Sequence, residues 1–149
     1  MKTLKGVQEK IVATLKRWQK IEEEAIVSLT EIVEAFQNPL PRTVFEIIRQ
    51  DSRNHRQVQE LLTQAGEEKG FTLTVEEMEE LSKVIARHVE VEKRMIEATL
   101  EALDSIKGKN MILHEYFMKY LQEEEKKHLD LLKGLENIKR YMHPYGPSA

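Results

Sequence analysis

The sequence contains no cysteine. That absence excludes disulfides, thiolate metal sites, iron–sulfur clusters and a cysteine nucleophile. Glycine (six) and proline (four) are scarce, and aromatic side chains make up only 6% of the chain, so long stretches run without backbone punctuation. No apolar run approaches the roughly 20 residues that a membrane span needs. The opening segment, MKTLKGVQEKIVATLKRWQK, is interrupted by charge too regularly for a secretory signal. A cytoplasmic location with no membrane partner is therefore the expectation. Neither sign of charge dominates: 23 Lys and Arg stand against 26 Asp and Glu. They are mixed along the chain and leave no basic face for nucleic acid. A P-loop, a nucleotide fingerprint and a Ser–His–Asp set are also missing.

What remains is long, charged and helical in rhythm. A chain of 149 residues suits one domain, able to bury about 68–70% of its unfolded surface. Most of the Gly and Pro fall at apparent breaks: Asn38-Pro39-Leu40-Pro41, Gly66 to Gly70, Gly108, and the tail from His143. Between the breaks, apolar residues recur three and four apart, which predicts helices over 3–37, 42–65, 75–107 and 111–141. Thr74-Val-Glu-Glu77 forms a capping box for the third helix. Short first and last connections force antiparallel neighbours, whereas the middle one, AGEEKGFTLT, is longer. The expected fold is all-α: a four-helix bundle of two antiparallel helical hairpins over 1–141, then a flexible tail over 142–149.

The apolar seams are interrupted. The first helix reads Leu4, Val7, Ile11, Leu15, Trp18, then Glu22, then Ala25, Leu29, Ile32 and Phe36. The third carries His88 and Glu92 mid-seam, the fourth Glu125 and His128, and the second Ser52, His55 and Gln59. Counted from the turns, Glu22, His55, Glu92, Glu125 and His128 all lie at about 25 Å along their helices, given a rise of 1.5 Å per residue. An internal repeat agrees. WQKIEEEAI (18–26) aligns with HVEVEKRMI (88–96), and IRQDSRNH (48–55) with LQEEEKKH (121–128), so Glu22 matches Glu92 and His55 matches His128.

Taken singly, a Glu on a stripe is more often an edge-of-core residue, and a His there a hydrogen-bonded core residue. A lone Glu-x-x-His step, such as Glu125 to His128, is also cheap: composition alone supplies about one. Taken together the residues are different. Three carboxylates in one buried layer repel one another and lose solvation unless paired, and no Lys or Arg occupies the same seams at that height. A divalent cation resolves both costs, because carboxylate and imidazole ligands suit iron, manganese or zinc.

Glu on helix one, a ligand pair on helix two, Glu on helix three and Glu-x-x-His on helix four resembles the ferritin-like di-iron carboxylate superfamily. The resemblance covers about residues 10–137 and is nearest to a rubrerythrin-like four-helix bundle without a rubredoxin domain. It implies Glu22 and His55 as ligands of one iron, Glu92 and His128 as ligands of the other, and Glu125 as a bridge. It further implies two iron ions (manganese or zinc being alternatives), reaction with dioxygen or hydrogen peroxide, an oxidase- or peroxidase-like role, and a homodimer. Without cysteine, electrons must come from a separate donor protein. The chain departs from the pattern at Ser52-Arg-Asn-His55, where the family offers Glu-x-x-His; Asp51 is a substitute. His88, one turn from Glu92, is expected to support the ligands rather than bind. Iron handling without turnover is a second reading. A third is a non-enzymatic metal-binding or interaction module that kept the fold and lost the chemistry through Ser52.

Overall fold

A computed structural model describes residues 3–65 and 71–142. Among them there are four long helices and no strand: α1 (Leu4–Ala35), α2 (Pro39–Gln64), α3 (Val75–Ile106) and α4 (Ile112–Ile138), followed by a 3-10 turn over Lys139–Met142. The all-α expectation holds. The predicted tail from 143 onward, and residues 66–70 of the predicted middle connection, lie outside the described residues.

The helices pack as two hairpins, α1 with α2 and α3 with α4. In the first, Glu23 pairs with Arg56 at 3.0 Å, and Thr30 accepts from Arg49 at 3.4 Å. Partner numbers fall as α1 numbers rise, which is an antiparallel register. Phe36 stacks on Phe45 with ring centroids 5.8 Å apart, closing the end beside the turn. In the second hairpin Glu92 meets α4 at His128, while Ser82 meets Lys139, so the register is again antiparallel. Its open end is tied by a main-chain hydrogen bond, Leu73 N–H donating to Met142 C=O at 2.7 Å.

Local chemistry explains the boundaries. Thr3 caps α1 by accepting from the Gly6 N–H, and the Thr74–Glu77 capping box opens α3 in both directions. The second helix starts three residues earlier than the spacing predicts. Asn38 caps it through the Leu40 N–H at 3.0 Å, and both prolines sit inside its first turn. The first four N–H groups of a helix have no partner within it, so a proline there sacrifices nothing. The break is thus Phe36 to Asn38, with Pro39 and Pro41 inside the helix.

Between α3 and α4 the chain turns through Gly108 at φ 74°. A Cβ there would meet no atom within 4 Å, so only the left-handed backbone argues for glycine. Gly108→Ala is expected to cost about 1 kcal/mol and to lower the melting temperature by roughly 2–4 °C, as circular dichroism would read.

Among the described residues few are buried. In the first hairpin they are Leu15 and Val33 with Glu22, Ser52 and Gln59; in the second, Ile85 with Glu92. Two antiparallel helices shield only the line along which they meet, so parts of the predicted seam of the first helix stay exposed, among them Ile11 and Trp18. Polar side chains hold the positions on that line. This is the feature that defines the candidate site.

Candidate metal centre

In the second hairpin α3 contributes Glu92, and α4 contributes Glu125 and His128, three residues apart and therefore on one face. One ligand atom from each of the three lies within 4.8 Å of the others. His128 Nδ1 is 3.5 Å from Glu92 Oε1 and 3.4 Å from Glu125 Oε2. His88, one turn before Glu92, places its Nε2 3.2 Å from the same Glu92 Oε1. Glu92 is only 3% exposed. Glu92 Oε2 and Glu125 Oε2 are buried and make no hydrogen bond.

A buried carboxylate with an unpartnered oxygen is costly unless something cationic faces it. The neighbouring lysines are turned to other groups: Lys126 pairs with Glu123, and Lys127 with Glu124. Glu92 is left with two imidazoles. The separations themselves are informative. Charge-assisted N–H···O bonds close to about 2.7–2.9 Å, whereas two ligands bound at about 2.1 Å to one tetrahedral or octahedral cation stand about 3.0–3.4 Å apart. The distances of 3.4 and 3.5 Å about His128 sit close to the ligand spacing and well beyond the hydrogen-bond one. Two carboxylate oxygens and one imidazole nitrogen are a suitable donor set for a divalent ion, and they leave room for further ligands. The second hairpin therefore holds a group able to bind a metal ion.

Glu125 resists ionisation. The adjoining Glu92 carboxyl raises its pKa above the ordinary 4.5, burial adds to the rise, and His128 opposes it. A carboxyl that binds its proton more tightly folded than unfolded stabilises the fold at acid pH, and that contribution is lost as pH rises through the raised value. Metal-free protein is accordingly expected to lose this contribution to its stability as pH rises from below about 4.5 toward neutrality. Glu125→Gln should reduce the loss, which a series of thermal melts in chelator would check.

The first hairpin carries a thinner version. Glu22, 8% exposed, places Oε1 3.3 Å from His55 Nδ1. The position equivalent to Glu125 is Ser52, which is buried. Asp51 joins no group of three metal-capable acidic or imidazole side chains among the described residues, and neither does Glu22. One further residue appears here. Gln59, on the predicted seam of α2 but with no role in the spacing argument, is 2% exposed, and both its amide atoms lack a hydrogen-bond partner.

No protein-family model, no curated protein and no solved structure matches the chain. The metal-binding reading rests on the chemistry of these side chains. Of the five residues singled out by spacing, Glu92, Glu125 and His128 come together in one hairpin, and Glu22 and His55 in the other. Among the described residues no helix is long and apolar enough to cross a membrane.

Proposed function

We propose that this chain is a non-haem carboxylate–histidine metal protein of the ferritin-like, di-iron kind, reacting with dioxygen or hydrogen peroxide. The observation that carries the reading is Glu92: a carboxylate buried to 3% exposure, with an unpartnered oxygen, beside Glu125 and His128. The internal repeat and the family resemblance supply the rest, including a second ion toward Glu22 and His55. Iron is the ion proposed, with manganese or zinc as alternatives of the same ligand preference. When bound, a redox-active ion would supply the electron transfer to oxygen or peroxide that no side chain of this chain can provide.

The protein's own part is binding and orientation. Glu92 and Glu125 carry the negative charge that a dication needs. His128 places Nδ1 3.5 and 3.4 Å from the two carboxylates. His88 holds Glu92 Oε1 from the adjacent turn, fixing the carboxylate's orientation as supporting groups at metal sites do. Electrons would arrive from a separate donor protein. A homodimer in the cytoplasm is the proposed setting.

The test is anaerobic loading with Fe(II), followed by exposure to peroxide or air. Stoichiometric uptake with oxidation faster than that of free iron supports the proposal. Uptake without faster oxidation removes the enzymatic part. One observation favours a second reading, a non-enzymatic metal-binding or interaction module: Ser52 stands where a fourth carboxylate would be. Uptake of metal without faster oxidation would favour the metal-binding form of that reading, and protein purified without any iron, manganese or zinc, and indifferent to chelator, the interaction-module form.

A further inference from the structure

The two hairpins repeat one another, yet their polar residues do not match. In the second, the oxygen donor beside the imidazole is Glu125, three residues before His128, and Leu132 follows four residues after it. In the first, Ser52 stands three residues before His55, and Gln59 four residues after it. The copy that lacks the carboxylate on one side of its histidine has gained an amide on the other. Residues at i and i+4 share a helix face, and the Cα–Cβ bond of a helical residue tilts toward the N-terminus. The Gln59 side chain therefore leans over the turn that carries His55.

Gln59 is also the most anomalous polar group of its hairpin. It is 2% exposed, and neither Oε1 nor Nε2 has a partner. A buried side-chain amide left without hydrogen bonds is rare in native proteins and calls for a physical account. One turn before it on the same face, His55 places Nδ1 3.3 Å from Glu22 Oε1. That is again the spacing of two ligands on one cation rather than of a tight charged hydrogen bond.

From these observations we infer that Gln59 is the third ligand of a divalent-cation site contained within the first hairpin. Its amide oxygen joins Glu22 and His55, in place of the carboxylate missing at Ser52. The inference rests on the metal-binding reading above and adds a residue to it. The set carries one negative charge, where Glu92, Glu125 and His128 carry two. It is therefore the weaker site, since affinity for hard cations follows the charge of the ligands. The Gln59 Nε2 hydrogens remain available to a water held beside the ion.

The test uses the full chain and Co(II), whose visible absorption reports the ligand field, with Zn(II) titrated by calorimetry for stoichiometry. The wild-type protein is expected to bind two ions, one tightly and one weakly. Gln59→Leu, which installs the residue type of the second hairpin, should weaken the second ion by more than about tenfold and leave the first unchanged. Gln59→Glu should tighten it by about tenfold through the added charge. Glu92→Gln should abolish the tight ion and keep the weak one. One tight ion only in the wild type, or two ions in Gln59→Leu with unchanged affinities and absorption, would overturn the assignment while leaving the second-hairpin site intact. Binding of no ion at all would overturn this inference and the proposed function together.

Discussion

Glu92→Gln is expected to lower the affinity of the second hairpin for a divalent ion by more than about a hundredfold, while the metal-free protein melts no lower than the wild type. The substitution keeps shape and removes charge. Losing a group that merely supports a ligand already costs about 10–100-fold in metal affinity, so losing a charged ligand at the centre of the set should exceed that range. Stability should move the other way. Glu92 is 3% exposed with Oε2 unpartnered, and a buried charge short of partners burdens the fold. The amide does not carry that burden. Calorimetric titration and melts in chelator read the two effects separately. A lower melting temperature with unchanged metal affinity would make Glu92 a structural partner of His88 and His128 and nothing more.

The second large effect is that of the ion itself. A ligand that binds only the folded state contributes RT ln(1 + [L]/Kd), about 4 kcal/mol at a free concentration a thousandfold above Kd. For a chain of this length each kcal/mol moves the midpoint by about 2–4 °C. Saturating Fe(II), Mn(II) or Zn(II) should thus raise the melting temperature by roughly 10 °C, and chelator should reverse the rise completely. The same titration on Glu92→Gln should show only a small residue of the effect. Because few apolar side chains among the described residues are buried in either hairpin, the ion's share of stability should be conspicuous. A midpoint that moves by less than about 1 °C at saturation would mean that no ion is held between α3 and α4.

The helices were legible because their signals are local. Threes and fours in the apolar spacing, a Thr–Glu capping box and a glycine at the α3–α4 turn each act within a few residues. The prolines misplaced a boundary because Pro39-Leu40-Pro41 looks like a break, when a first helical turn accepts both. Seam width was not legible. Spacing says which residues share a face, but not which lie on the line where two helices touch, so Trp18 and Ile11 belong to the predicted seam and yet remain exposed. At the site, Glu92, Glu125 and His128 could be found because carboxylates and imidazoles interrupting a stripe are conspicuous. Gln59 could not. A neutral amide on a seam raises no electrostatic alarm, and only its burial without partners, a property of packing, marks it out. Its counterpart Leu132 was the one available signal: aligned copies of a repeat differ there in polarity.

The bond from Leu73 to Met142 has a consequence for how an ion would be captured. A pair of rods joined at one end can scissor about its hinge, and every donor pair along its length then opens and closes with the motion. Here the far end is fastened too, by a bond of about 1 kcal/mol, which opposes that motion. An ion arriving between the rods finds its seats more nearly spaced, and less order has to be created on arrival.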